Sequence, residues 1–535
     1  MLFPFLIFLL PFWFLRDVKQ ILFWVYLWQL KQYHRGRFFD HFKTEKGKKL
    51  LFQPLQILKI ILLVLFFAVF LLSNPVYLAF FPLILFLAYF LESLLYFKAI
   101  FAKRAKNPVF TKKTIVLVFV SLLAVVLYPF LISSFTKDFI LFSLALLIFD
   151  ILLPLIVSLI VIIIQPLADY NRLSLQKRAK EKMSAFSKKN LTIIAIAGSY
   201  GKTSTKEYLT TILSQKFKVL ATKDHQNTEV GIPQTILNEL NPSHEVFIVE
   251  MGAYDKGTIK RICDFLGPEI GIVTGVNSQH LALFGSMENL LSAEGGQELL
   301  NCLPKDGLLI TNSENNYCRD LYEKAKIKKI SYSFKDAENI KTEKDFVSFS
   351  LRKDNTNFKV GVPGKHNILN LLAAISVAKE LGMATAEIAK ASRKITDKQS
   401  SYKISRNKEG FNIINSTYSA NPDGAIADLD YLKVFSGKKI IVMACLIELG
   451  KTAKEVHQKI GRKIAEVCDL AIITGSDCYP DIKKAAIESG MKKEDIELIS
   501  DPNLIHGRIN SLSCKDGSIL LEGRLSEVII KKLSL

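Results

Sequence analysis

Lys202 is the residue from which chemistry in this chain is most directly read. An apolar, β-branched run at residues 193–197 leads into a glycine turn with Gly198, Ser199 and Gly201, and Thr203, Ser204 and Thr205 follow the lysine. That order makes a buried strand, a tight loop and the start of a helix. The two glycines let the backbone curl until several N–H groups converge, and the positive end of the helix favours an anion at the same place. Lys202 adds a mobile positive charge, and Thr203 a hydroxyl able to ligate Mg2+. The pattern G-x-x-G-K-T is shorter between its glycines than the common phosphate loop, yet the lysine and hydroxyls fall where a nucleoside triphosphate needs them. ATP and Mg2+ are the cofactors this stretch implies.

Other polar residues close apolar runs further on. Strands are expected at residues 246–250, 270–274 and 308–311, with helical stretches between them, which makes a mostly parallel sheet covered on both faces. Ligands of such sheets sit at the carboxyl ends of the strands. Glu250 ends the run VFIVE, faces the phosphate loop and can hold Mg2+. His280, in TGVNSQHLALFGS, lies just past a strand end, where a site role and a structural one are both open. In the polar loop KDHQNTEVG, Asn227, Thr228 and Glu229 either contact substrate or phosphate or simply form a turn. Strand-like runs return near residue 413 and at 439–444, 470–474 and 519–521, giving a second, Rossmann-like α/β unit.

The elements that carry these residues follow a different first third. The 535 residues have room for several domains, and the net charge of +20 raises the question of nucleic acid. The distribution of the charge argues against it, because much of it sits in short loops between very apolar runs, a membrane-topology pattern. Residues 1–168 are expected to form about five transmembrane helices. The first is a short apolar anchor over residues 1–15, interrupted only by Pro4 and Pro11; Arg16, Asp17 and Lys19 follow it, and an aromatic-rich interfacial piece continues it. Four longer runs follow at 55–72, 76–95, 115–132 and 139–164. Basic loops (Lys31 to Lys49, Lys98 to Lys113, Arg172 to Lys182) alternate with nearly neutral ones (around Asn74 and Pro75, and around Lys137). This arrangement puts the remainder of the chain on the cytoplasmic side of an inner cell membrane. Glu92 and Asp150 within the spans are read as packing or interfacial carboxylates rather than a proton path. Residues 169–190 read as a basic linker helix leaving the membrane, 191–396 as the central ATP-binding domain and 397–535 as the last domain. The seven cysteines form no C-x-x-C pair and are odd in number. They are read as reduced thiols, neither disulfides nor a zinc site.

With AGSYGKTST, NTEVGIP, VEMGA, TGVNSQHLALFGS, PGKHNILNLLAAISVA, STYSANP and IELG in this order, the chain resembles the Mur ligases, the ATP-dependent amide-forming enzymes of peptidoglycan precursor synthesis. Among them it is most like the branch that adds D-alanyl-D-alanine to a UDP-muramoyl tripeptide. The resemblance covers residues 190–535 and implies roles. Lys202 would hold the β- and γ-phosphates, Thr203 and Glu250 one Mg2+, and His280 would help with a second. Asn312 would lie near the adenine, and His366 and Asn367 would open a helix closing the central domain. Tyr418 and Asn421, within STYSANP, join Asn227 and Thr228 as substrate candidates.

Departures from the family pattern are equally informative. Where the family often carries a carbamylated lysine, this chain has Glu294, whose charge could replace the carbamate. The acidic pair before the S-Y-N-A-N-P motif is Asn415 and Ser416, the family's G-R is Ser401 and Tyr402, and K-G-S is replaced by Glu522, Gly523 and Arg524. Glu448 and His457 match the family, though packing explains them equally well. The family's soluble UDP-binding domain is replaced by membrane spans. The carboxylate partner is then a small-molecule or lipid-linked peptide precursor and the amine an amino acid or dipeptide, with cell-wall synthesis proteins as possible partners and no nucleic acid. Two rival readings remain, a ligase for another amide-linked polymer such as poly-glutamate and a degenerate nucleotide-binding scaffold.

Overall fold

The computed structural model describes residues 3–72, 78–102, 105–186, 191–223, 226–399, 402–418, 420–512 and 516–534. Asn74, Pro75, Lys103, Arg104, Ser401 and Cys514, all weighed above, lie outside these. The chain forms two compact units, residues 1–171 and 172–535.

The first unit is helical. Among its described residues, four helices are long and apolar enough to cross a membrane, not five. Phe3–Leu30 is a single helix. The charges that follow the apolar anchor are satisfied inside the bundle. Arg16 Nε donates to Glu92 Oε2 at 3.0 Å, and Arg16 also pairs with Asp17 and Asp150. Lys59 Nζ reaches Glu92 Oε2 at 2.6 Å and Asp150 Oδ2 at 2.8 Å. Glu92 and Asp150 are therefore not scattered; they meet two cations contributed by two other helices. Buried charge is tolerable only when paired in this way. Trp13 and Trp28 are buried in the apolar core of this unit, donating to Leu146 O and Ser158 Oγ. The helix Lys112–Phe135 starts on a capping box made by Thr111 and Thr114. The last helix runs from Phe139 to Phe186, so the helix expected from residue 169 is continuous with the apolar stretch before it. Nothing in 169–186 breaks it: the segment has no glycine or proline.

The second unit contains three sheets. The strands β1 (Thr192–Ala197), β2 (Val219–Ala221), β3 (Val246–Glu250), β4 (Ile270–Val273), β5 (Leu308–Asn312) and β6 (Lys328–Tyr332) form one parallel sheet, in the order β2-β3-β1-β4-β5-β6. β1 is central because both its faces are covered, and Ile194 and Ile196 are fully buried on one of them. Each such side chain contributes about 1.5–3 kcal/mol. The strands β7 (Ala337–Thr342), β8 (Val347–Leu351) and β9 (Asn357–Val360) make a small antiparallel sheet that the sequence did not announce.

The third sheet is built from β10 (Lys403–Arg406), β11 (Asn412–Ser416), β12 (Lys439–Met443), β13 (Leu470–Ile473), β14 (Ile496–Leu498) and β15 (Ser518–Glu522), ordered β10-β11-β15-β12-β13-β14. Only β10 is antiparallel to its neighbour. The loops after the adjacent strands β12 and β13 bring Cys445 and Cys478 to a Cα separation of 5.6 Å, where they form a disulfide. That corrects the expectation of reduced thiols for these two, while Cys263, Cys302, Cys318 and Cys468 are free. The pairing is set by neighbouring strand ends, not by sequence proximity, and therefore leaves no local spacing signal.

Candidate active site

The phosphate loop forms as its residue types require. Gly198 has φ +133° and Gly201 φ +76°. A Cβ on Gly201 would lie 2.7 Å from Asn370 Oδ1, so the second glycine is needed for space as well as conformation. The helix Lys202–Leu213 follows directly. Lys202 Nζ donates to the carbonyl of Gly198, folding the side chain back over its own loop.

Beside the loop, Thr203 Oγ1 donates to Glu250 Oε2 at 2.9 Å, and Asn227 Nδ2 to Glu250 Oε1 at 2.9 Å. Lys206, fully buried one helical turn on, places Nζ 2.7 Å from Thr222 O and 4.0 Å from Glu250 Oε2. Sequence reading missed Lys206 because a second lysine in a loop-proximal helix looks like a solvent-facing one. Thr228 does not face the cleft. Its hydroxyl accepts from Gly231 N at 3.1 Å, and so closes the turn before the helix Gly231–Asn238. Glu229 is also occupied elsewhere, by Arg172 at 2.9 Å and Arg261 at 2.6 Å.

A second group surrounds His280, which has φ +68°. Its Nδ1 lies 2.9 Å from Glu294 Oε1, and Ser199 Oγ donates to Glu294 Oε2 at 2.7 Å. Its Nε2 lies 3.6 Å from Glu448 Oε2, across on the last α/β half. Glu294 therefore joins the phosphate loop to the histidine, and the histidine joins the two halves. Asn277 forms another crossing: its Nδ2 lies 3.2 Å from Asn421 Oδ1 and 2.8 Å from Asp423 Oδ2. Asn421 also caps the helix Pro422–Leu432 through Gly424 N.

Asn312 is buried at the end of β5, donating to Thr274 O at 2.9 Å and accepting from Glu314 N at 3.0 Å. His366 and Asn367 open the helix Asn367–Glu380. Asn367 Oδ1 accepts from Tyr208 OH at 2.9 Å. His366 is buried 3.5 Å from Tyr402 OH, and burial lowers its pKa. His457 is held by packing contacts, accepting from Leu446 N at 3.1 Å and bonding Ala453 O at 2.7 Å.

These groups open on one cleft of about 1920 Å3 between the two α/β halves. Ser199, Gly201, Lys202, Thr203, Ser204, Asn227, Glu250, His280, Glu294, Asn312, Tyr418 and Asn421 line it. Tyr418 stands well exposed at its wall. Among the described residues no three His, Cys, Asp or Glu side chains converge as a ready metal cage. A hydroxyl and a carboxylate at a phosphate loop nevertheless suit Mg2+, which takes one or two protein oxygens and completes its shell with phosphate and water.

Two α/β lobes facing one another across a deep cleft, one of them carrying a phosphate loop, define a class of nucleotide-binding two-lobed protein. Comparison with known proteins narrows the class. Residues 196–378 match the Mur ligase middle domain and residues 403–525 the Mur ligase, glutamate ligase domain. The UDP-N-acetylmuramoyl-tripeptide--D-alanyl-D-alanine ligase of Synechocystis is 30% identical over 59% of this chain and 68% of its own length. That of Buchnera aphidicola is 33% identical over 51% of this chain and 61% of its own. The fold is also that of MurF from Acinetobacter baumannii, with a TM-score of 0.60 at 23% identity over 68% of this chain and 81% of that one. MurF ligase from Thermotoga maritima in complex with ADP has a TM-score of 0.57 at 24% identity, covering 68% and 83%. The chain belongs to the Mur ligase family. It spans roughly six to seven tenths of the length of these curated relatives.

Proposed function

We propose that this chain is a membrane-anchored, ATP- and Mg2+-dependent carboxylate–amine ligase acting on a peptidoglycan peptide precursor, small-molecule or lipid-linked. The observation that carries the reading is the convergence of Lys202, Thr203 and Glu250 on one wall of the cleft, with His280 and Glu294 beside them. The curated relatives, by name, join D-alanyl-D-alanine to UDP-N-acetylmuramoyl-tripeptide. The solved relative from Thermotoga maritima holds ADP. Four long apolar helices support the membrane anchor, with the ligase lobes on the cytoplasmic side of the cell membrane.

In this account the substrate carboxylate attacks the γ-phosphate and becomes an acyl phosphate. The amine then attacks the carbonyl and phosphate leaves. Carboxylate and triphosphate repel one another, so positive charge at the loop is the first requirement. Lys202 supplies it by leaving Gly198 O for the phosphates. Mg2+, held by Thr203 and Glu250, would neutralise further charge there. Asn227 fixes the second oxygen of Glu250. Glu294 and Ser199 orient His280 at the seam of the two halves, with Asn312 at the far end of the nucleotide site.

The test is phosphate release by the purified full-length protein, given UDP-N-acetylmuramoyl-tripeptide, D-alanyl-D-alanine, ATP and Mg2+. Release that depends on both substrates and vanishes in Lys202→Ala supports the reading. Release that ignores the carboxylate, or survives the substitution, contradicts it.

A further inference from the structure

Opposite the phosphate loop, the cleft wall carries a buried pair of acids that the account above leaves without work. Asp428 sits on the helix Pro422–Leu432 and lines the cleft. Its Oδ1 accepts from Tyr402 OH at 2.6 Å and its Oδ2 from Ser416 Oγ. Glu522 ends β15, in register with Ser416 at the end of β11. It is buried beneath that wall; Oε1 accepts from Gly523 N at 3.0 Å, while among the described residues Oε2 meets no donor. Burial, together with the Asp428 carboxylate against it, raises the pKa of Glu522 well above the carboxylate range. Asp428, the member on the cleft wall, receives two hydrogen-bond donors, whereas Glu522 is buried with no donor at Oε2 among the described residues, which favours its neutral form.

An amine substrate reaches a ligase at neutral pH as an ammonium ion, which has no lone pair to attack with. It needs an anion to hold it and a base to take one proton. We propose that Asp428 is that group: it binds the incoming ammonium and accepts its proton, while neutral Glu522 supports it from beneath. This rests on the ligase reading. The proton passes from R–NH3+ to Asp428, the nitrogen lone pair forms the C–N bond, and the C–O bond to phosphate breaks with its electron pair. The second proton lost from nitrogen leaves on the phosphate. Tyr402, with His366 behind it, Ser416 and Glu522 are the polar groups around Asp428, and Asp423 and Arg524 share the cleft wall.

The experiment compares two nucleophiles on the full-length protein, with UDP-N-acetylmuramoyl-tripeptide as carboxylate. D-Alanyl-D-alanine arrives charged, whereas hydroxylamine is already uncharged at neutral pH and needs no base. Asp428→Asn is expected to lose dipeptide ligation by about a hundredfold or more while hydroxamate formation falls by less than about threefold. Asp428→Glu is expected to recover part of the dipeptide activity. In the wild type, dipeptide ligation is expected to show an acid limb that hydroxamate formation lacks. Equal losses with both nucleophiles in an Asn variant that still binds ATP, or coincident acid limbs in the wild type, overturn the proposal. Phosphate release with neither nucleophile in the wild type defeats the ligase reading itself, and the proposal with it.

Discussion

Thr203 Oγ1 donates a hydrogen bond of 2.9 Å to Glu250 Oε2, tying the first turn of the phosphate-loop helix to the end of β3. β1 and β3 are paired in register, with Ile196 opposite Glu250, so the sheet itself delivers the carboxylate to the loop. If this pair holds Mg2+, Glu250→Gln keeps the shape and removes the charge. Magnesium dependence of ATP binding, followed by calorimetry, is expected to weaken by about tenfold to a hundredfold. An unchanged magnesium dependence would remove Glu250 from the metal site.

Lys202 is the charge on which phosphate transfer depends. Lys202→Ala is expected to lower the rate of ADP formation by about a hundredfold to a thousandfold, the range for losing one preorganised donor to developing charge. Its melting temperature should stay close to that of the wild type, because the side chain lines the cleft and, among the described residues, bonds only the Gly198 carbonyl of its own loop.

The ion centre of Arg16, Asp17, Lys59, Glu92 and Asp150 gives a stability prediction for the helical unit. Lys59→Met leaves Glu92 and Asp150 each short of a partner. Breaking a buried pair from one side costs about 3–5 kcal/mol. Detergent-solubilised protein should therefore show the helical unit melting well below the wild type, with the ATP-binding transition unmoved. Coincident melts would show the charges to be dispensable.

His457 sets a pH dependence for the last α/β half. Its Nε2 accepts from Leu446 N, which requires the neutral ring, and burial holds its pKa below the ordinary 6.5. A folded pKa below the unfolded one means that the unfolded chain binds the extra proton first. Stability is then full above about 6.5 and declines as pH falls through and below that value. Thermal melts across this window should show the decline, and His457→Gln should flatten it. A slope unchanged by the substitution would assign the dependence to other groups.

Much of this site could be read from residue order because its groups belong to short segments at strand ends. Lys202, Thr203, Glu250 and His280 lie at a strand end or in the turn that follows it, where local pattern dictates position, whereas Glu294, at the end of the helix Met287–Ala293, was reached through the family resemblance. The rest depended on long-range neighbours. Thr228 looked like a ligand and instead closes a turn, because a hydroxyl three residues before Gly231 N serves either end. Lys206, Asn277 and Asp428 owe their places to contacts between distant strands and helices, which no local spacing encodes. The same holds for Cys445 and Cys478, joined through adjacent strand ends, and for Arg16, whose partners Glu92 and Asp150 come from other helices.

Ligation by this route requires the carboxylate to be activated by phosphate transfer in this cleft, and isotope transfer reads that event directly. A tripeptide precursor carrying heavy oxygen in its terminal carboxylate is incubated with the protein, ATP, Mg2+ and D-alanyl-D-alanine, and the released phosphate is analysed by mass spectrometry. The prediction is one heavy oxygen in the phosphate for each amide formed. Amide formation with unlabelled phosphate would contradict the acyl-phosphate route.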